Sequence, residues 1–222
     1  MCFSATASFT AGTILTTVGL ITLKQSPKKT KLFSAIPLLF GVQQLLEGFV
    51  WLSLMYSLPI LNTFATYGFV FFSHLLWPIY TPLSVALMEP TKWRKRLIIT
   101  CVVIGLVVSG YSLLSIILSP IRSQITCDSI HYNFSSFIQT PLSINVMLYF
   151  IATCFGCLLS SHRLVKLFGV SVVAFLMLSF HYYTTTFVSV WCFFSAILSI
   201  IIYFFIKQQS STWSIFKNKF RF

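Results

Sequence analysis

Acidic residues are nearly absent from this sequence: only three Asp or Glu side chains occur among 222 residues, and charged residues of both signs make up 8% of the chain. A soluble globular domain usually carries about 25% charged residues. With 57% hydrophobic residues, this chain lacks the polar groups to coat a water-soluble particle. Disorder is excluded as well, because disordered segments combine low hydrophobicity with high charge. The composition therefore predicts a polytopic membrane protein, and the length predicts a single domain.

Long apolar runs recur along the whole chain, and crossing a bilayer as a helix takes about 20 mostly apolar residues. The runs do not alternate apolar and polar residues, as the strands of a membrane barrel would. We therefore predict an all-α membrane protein, a seven-transmembrane-helix bundle that forms one domain over residues 1–222. The seven predicted spans are 8–23, 32–55, 62–88, 97–118, 141–159, 165–180 and 187–206.

Basic residues are distributed very unevenly between the loops. Fourteen of the fifteen lie in segments 24–31, 92–96, 163–166 and 207–221, and the other is Arg122. Because cytoplasmic loops carry the excess of Lys and Arg, the N-terminus is predicted outside and the C-terminus in the cytoplasm. This topology accounts for the net charge of +12, so we expect membrane lipids and no nucleic acid as partners.

Two features outside the spans leave alternatives open. In segment 210–222, aromatic residues at helical spacing are interleaved with basic ones, which fits an interfacial amphipathic tail and fits a frayed basic tail equally well. Cys2 and Cys127 both fall on the predicted outer side, so the topology permits a disulfide between them but does not require one.

Glu47 is the one acidic residue deep within a predicted span. An ionised carboxylate in hydrocarbon costs about 2.5–3.5 kcal/mol on insertion scales, so Glu47 should face the bundle interior and be protonated or paired. Gln43, Glu47 and Trp51 are four residues apart and share one helix face, which Gln44 flanks. We predict a polar intramembrane site on this face.

The next span offers a matching stripe in His74 and Trp77. Consecutive helices joined by a short loop normally pack together, so Glu47 and His74 are predicted to face one cavity, within direct or one-water hydrogen-bonding reach. The candidate ligand-binding cluster is therefore Gln43, Gln44, Glu47, Trp51, His74 and Trp77. Polar side chains also join helices without any further role, and that alternative stays open.

His181, Trp191 and Cys192 form a secondary candidate group near the outer ends of the last two spans. Two histidines such as His74 and His181 would suffice for axial haem ligation, but the pair is too unspecific to predict a cofactor. We predict no metal site, and cofactors and oligomeric state stay undetermined by the sequence.

Five segments together resemble an uncharacterised bacterial family of multi-helix inner-membrane proteins whose members begin Met-Cys-Phe-Ser-Ala. The resemblance implies the multi-span topology and a location in the bacterial inner membrane, and it implies no activity. The segments are Met-Cys-Phe-Ser-Ala-Thr-Ala-Ser-Phe at 1–9, Pro-Leu-Leu-Phe-Gly-Val-Gln-Gln-Leu-Leu-Glu-Gly at 37–48, Ser-His-Leu-Leu-Trp-Pro at 73–78, Ser-Ser-His at 160–162 and Ser-Val-Trp-Cys-Phe-Phe at 189–194.

Three functions fit these residues. The first, which we favour because no complete catalytic or metal-binding set is visible, is a binding or sensing bundle for a small lipophilic ligand. The 38 aromatic residues suit a pocket for such a molecule. The second is a membrane-embedded enzyme that uses Glu47 and His74 as an acid–base pair on a lipid-soluble substrate. The third is a small proton-linked transporter, in which Glu47 and His74 relay protons and the prolines that follow His74 break the helix.

Overall fold

The computed structural model describes residues 4–126, 128–133, 144–183 and 185–219, with side chains up to residue 209. Cys2 and Cys127 lie outside the described residues. The helices are α1 (Ala5–Gln25), α2 (Lys31–Ser34), α3 (Ile36–Met55), α4 (Pro59–Val70), α5 (Trp77–Met88), α6 (Lys92–Leu118), α7 (Ile144–Phe150), α8 (Gly156–Leu159), α9 (Arg163–Tyr182), α10 (Phe187–Leu198) and α11 (Ile200–Lys219). A 3-10 turn at Lys28–Thr30 precedes α2, π-helical turns at Phe71–Leu76 and Ile151–Phe155 join α4 to α5 and α7 to α8, and strands β1 (Arg122–Thr126) and β2 (Ser129–Asn133) lie between α6 and α7.

Six helical stretches of the described chain are long and apolar enough to cross a membrane, and they correspond to six of the seven predicted spans. Each extends a few residues beyond the predicted apolar run, because a helix does not have to end where the hydrocarbon ends. The seventh predicted span, 141–159, is represented by the shorter stretch Ile144–Leu159, and its first residues lie outside the described ones. The chain is a mostly helical bundle of the membrane-protein class.

Helix α1 packs closely along α3. A methyl group added to Gly19 would lie 2.4 Å from the backbone nitrogen of Leu38, so only glycine permits this approach. Small residues at helix contacts are a general device of membrane bundles, where helices associate through close packing. The contact fixes the rotation of α3 and so directs Gln43, Gln44 and Glu47 toward the other helices; these three side chains are at most 1% exposed.

The β-hairpin covers one end of the bundle, which we call the hairpin end. Its strands are antiparallel, with Ser123 opposite Tyr132. The Ser123 hydroxyl accepts hydrogen bonds from Asn62 Nδ2 at 2.8 Å and from Thr66 at 3.0 Å, which anchor β1 to α4. Tyr132 then reaches into the bundle, where its ring stacks on Phe69 with centroids 4.6 Å apart.

The opposite end, which we call the basic end, is held together by Glu89. This carboxylate accepts a hydrogen bond from the Ser161 backbone N–H at 2.8 Å and another from the Ser161 hydroxyl. Arg94 donates to the carbonyl oxygens of Leu159 and Ser160 at 3.3 and 3.2 Å, which satisfies the end of α8. The α5–α6 and α8–α9 connections are therefore joined by polar contacts between their backbones and side chains.

The helix backbone of α11 continues into the predicted amphipathic tail as far as Lys219. Residues 220–222 lie outside the described part of the chain. The position of the tail at a membrane surface stays a prediction.

Candidate ligand cavity and the buried carboxylate

Glu47 is buried in the interior, with 1% of its surface exposed. Its Oε1 accepts a hydrogen bond from the Ser189 hydroxyl of α10 at 2.5 Å, and its Oε2 accepts one from Gln44 Nε2 at 3.2 Å. Both donors are neutral. Among the residues with described side chains, no Lys or Arg is buried, so no cation of this part of the chain lies in the interior with the carboxylate.

The polar faces predicted on the second and third spans meet at Gln43 and Trp77. The indole Nε1 of Trp77 donates a hydrogen bond of 2.7 Å to Gln43 Oε1 and thereby joins α3 to α5. Phe40 stacks on the same indole with ring centroids 4.0 Å apart. Trp51 lies elsewhere, in the apolar cluster at the hairpin end that contains Phe69.

His74 has a hydrogen-bond partner next to it in the chain. Its Nδ1 lies 2.8 Å from the Ser73 hydroxyl, and the described contacts of Glu47 include no direct hydrogen bond with His74. The sequence argument missed Ser189 because a serine 142 positions away carries no local signal of proximity. A water-bridged contact between Glu47 and His74 stays a prediction.

His74 belongs to the π-helical turn at Phe71–Leu76, in which the N–H of Trp77 bonds to the carbonyl of Phe72. In this register the Ser73 carbonyl would accept from residue 78, but Pro78 has no N–H. The Tyr149 hydroxyl of α7 donates to the Ser73 carbonyl instead. The proline therefore creates an acceptor that draws α7 toward the π turn and places Tyr149 beside His74, with ring centroids 6.1 Å apart.

A cavity of about 420 Å³ opens between the hairpin, α6, α7 and α10. Aromatic rings form much of its wall, and none of the described side chains that line it is a Lys, Arg, Asp or Glu. Its described lining residues are His74, Val108, Tyr111, Ser112, His131, Tyr132, Asn145, Val146, Tyr149, Phe150, Phe180, Thr185, Phe187, Val188, Trp191 and Cys192.

The structure places the predicted site residues in three different positions. His74 and the secondary candidates Trp191 and Cys192 line the cavity. The carboxylate of Glu47 and the amides of Gln43 and Gln44 are not among the lining groups and lie deeper in the bundle. His181 is exposed, with its ring against Tyr182 at 4.8 Å between centroids, and does not line the cavity among the described residues.

Tyr132 and Cys192 connect the cavity to the buried carboxylate. Both line the cavity, and Cys192 lies three residues from Ser189, the donor to Glu47, on the same buried face of α10. Burial raises the pKa of Tyr132 well above its ordinary value of 10.0, and the nearby Glu47 adds to the effect, so the Tyr132 hydroxyl stays protonated. We call these two lining residues the wall on the Glu47 side of the cavity. Tyr132 was not predicted, because a loop tyrosine gives no sequence signal that it inserts between helices.

Several buried polar atoms around Glu47 have no hydrogen-bond partner among the described residues. They are Gln43 Nε2, Gln44 Oε1 and the Tyr132 hydroxyl. Such atoms are uncommon in folded interiors, since each costs about 1–3 kcal/mol if it stays unpaired. The region around the carboxylate therefore contains more polar groups than the described hydrogen bonds use.

The residues with described placement contain no group of three His, Cys, Asp or Glu side chains arranged to hold a metal ion. A family of unknown function, DUF6629, matches residues 1–215. The chain belongs to this family. No curated protein and no solved structure matches the chain. The match of this chain to DUF6629 agrees with the expected resemblance to an uncharacterised family, and it leaves the function to be argued from the cavity.

Proposed function

We propose that this DUF6629 protein binds a small lipophilic ligand in the cavity between the hairpin, α6, α7 and α10. The observation that supports this most directly is the cavity itself. Ligand sites commonly measure about 300–1,000 Å³ and have mainly apolar and aromatic walls with a few polar groups. A cavity of about 420 Å³ with aromatic walls and two histidines matches that description.

The proposal includes the orientation in the membrane. The positive-inside distribution of basic residues favours seven spans, with Ile144–Leu159 as part of the fifth, and places the basic end in the cytoplasm. The hairpin end and the cavity would then lie toward the outer leaflet. In keeping with the family resemblance, we propose the bacterial inner membrane as the location.

Cysteine labelling tests the orientation. In a variant free of other cysteines, Asp128→Cys in the hairpin should react with an impermeant reagent added to intact cells. Trp93→Cys, at the start of α6, should react only after the membrane is opened. The reverse pattern would contradict the orientation while leaving the cavity proposal standing.

Filling the cavity tests the binding function. Val108 lines the cavity and is 3% exposed, whereas the neighbouring Val107 is 64% exposed on the outer face of α6. Val108→Trp should remove ligand binding, and Val107→Trp should preserve it. Ser112→Phe, which also projects into the cavity, provides a second filled variant if Val108→Trp does not fold.

The measurements are mass spectrometry of small molecules that co-purify with the full chain, and fluorescence of the neutral probe N-phenyl-1-naphthylamine. Saturable binding that Val107→Trp keeps and both filled variants lose would support the proposal. Equal binding by all folded variants would contradict it.

The enzyme alternative would require an acid–base pair at the substrate. The hydrogen bonds of Glu47 lead to Ser189 and Gln44, and its carboxylate lies behind the cavity wall. This arrangement favours binding over catalysis by Glu47 and His74.

A further inference from the structure

The buried carboxylate and the aromatic cavity together indicate the charge of the ligand. Resting on the proposed binding function, we propose that the cavity of this protein takes a lipophilic organic cation, and that Glu47 supplies the opposing negative charge through the wall formed by Tyr132 and Cys192.

The first step concerns what surrounds Glu47. A carboxylate removed from water is stable only if it is paired, hydrogen-bonded or protonated. Its two described donors, Ser189 and Gln44, are neutral. The buried faces of three helices that pack against α3, namely α1, α4 and α10, add no cation. These faces are Ser8, Gly12, Leu15, Gly19 and Thr22 on α1; Ala65, Thr66, Phe69 and Val70 on α4; and Ser189, Val190, Trp191, Cys192, Ser195 and Ala196 on α10.

The second step concerns the cavity. None of its described lining side chains is a lysine or arginine that would repel a cation, and none is an acidic residue that would already compensate one. Ser189, which donates to Glu47, and Cys192, which lines the cavity, are three residues apart on one buried face of α10. A positive charge in the cavity therefore lies near a carboxyl group that no described cation neutralises, and it favours the ionised form of that group.

The third step concerns the walls. The faces of aromatic rings attract cations, and desolvated cation–π contacts are among the stronger ones. Trp191 and Phe187 stack with centroids 5.8 Å apart, and Tyr149 meets Trp191 edge-on at 5.9 Å. All three line the cavity. A flat or greasy cation gains both from these rings and from Glu47, whereas a neutral ligand gains only from burial.

The two histidines of the cavity are the groups that would oppose a cation if they were protonated. His74 pairs with Ser73, and His131 Nδ1 lies 3.2 Å from Gln124 Nε2. Binding is therefore measured at about pH 8, above the range in which histidine ordinarily takes up a proton.

The test compares tetraphenylphosphonium with tetraphenylborate, hydrophobic ions of nearly equal shape and opposite charge. The full chain is embedded in nanodiscs, and cavity binding is defined as the saturable part that Val108→Trp or Ser112→Phe removes. Glu47→Gln keeps the shape of the side chain and removes its charge. Glu89→Gln is the matched control, because Glu89 is also buried, at 4% exposure, but lies at the basic end away from the cavity.

We expect the cation to bind in the cavity and Glu47→Gln to weaken its binding by about tenfold or more, the loss expected when one opposing charge is removed from a partly dry interior. Glu89→Gln should bind it as the unmodified chain does. The anion should bind weakly to the unmodified chain and no worse to Glu47→Gln.

The inference would be overturned by equal cation affinity in folded Glu47→Gln and unmodified protein, or by preference for the anion. Binding of the neutral naphthylamine probe without cavity binding of the cation would also overturn it, and would leave the proposed function intact. Failure of all three probes to bind in the cavity would overturn both.

Discussion

Replacing Gly105 with alanine tests a very close contact between α5 and α6. A methyl group at this position would lie 1.9 Å from the carbonyl oxygen of Pro78. That carbonyl would normally accept the N–H of residue 82, which is a proline and has none. The Pro78 carbonyl lies against α6, and the bare Cα of Gly105 allows this approach.

The cost follows from the distance. Contacts of a Cβ atom under 3.0 Å are essentially never seen, so α5 and α6 would have to separate locally by about 1.1 Å, the difference between 3.0 and 1.9 Å. Overpacking of this kind typically costs about 1–3 kcal/mol, and more where the obstacle is backbone. Alanine recovers at most about 1 kcal/mol through its higher helix propensity. We therefore expect Gly105→Ala to lower the free energy of unfolding by about 1–2 kcal/mol.

Gly110 provides a control on the same helix, because a methyl group there would meet no atom within 4 Å. Gly110→Ala should be neutral or slightly stabilising, by less than about 1 kcal/mol. The measurement is reversible unfolding in mixed micelles, or steric trapping in bicelles, with both variants beside the unmodified chain. Equal stability of the two alanine variants would refute the close approach of α6 to Pro78 and, with it, this account of how α5 and α6 pack.

Two further predictions concern polar contacts, one made by Glu89 at the basic end and one between Gln43 of α3 and Trp77 of α5. Burial would raise the pKa of Glu89, but its hydrogen bonds from Ser161 outweigh burial and leave the pKa below its ordinary value of 4.5. Stability from this carboxylate is therefore full above about pH 4.5 and declines as the pH falls further, and thermal unfolding of Glu89→Gln should lack this acid-dependent loss. Trp77→Phe should cost about 1–2 kcal/mol because it strands the buried Gln43 oxygen. Trp93→Phe, at a position 56% exposed, should unfold like the unmodified chain in the same assay.

Hydropathy alone was sufficient to predict most of the fold. The cost of exposing backbone to lipid forces each apolar run into a helix, so six predicted spans match helical stretches of the structure. A carboxyl group exposed to lipid is also costly, which predicts that Glu47 faces the interior, and the structure buries it there. The contact between Gln43 and Trp77 follows from helical spacing on two consecutive spans, which is local information.

Contacts between distant segments could not be predicted in this way. Ser189 and Tyr132 come close to Glu47 because of how α10 and the hairpin dock, and no periodicity in either segment reports that docking. The π turn at His74 was signalled only by the nearby prolines, which predict a break but not its register. The main candidate cluster was therefore predicted on two helices, with secondary candidates on the last two spans, whereas the cavity is lined from the hairpin, α6, α7, α9, α10 and the π turn at His74.

The hairpin determines how deeply the cavity wall reaches into the bundle. Ser123 and Tyr132 are cross-strand partners, so their side chains project from the same face of the hairpin. Hydrogen bonds from Asn62 and Thr66 to the Ser123 hydroxyl therefore also fix the depth of Tyr132. A slip of one residue in β2 would turn Tyr132 away and present His131 in its place, because strand side chains alternate between faces. The anchor at Ser123 thus keeps the phenol of Tyr132, and not the imidazole of His131, on the Glu47 side of the cavity.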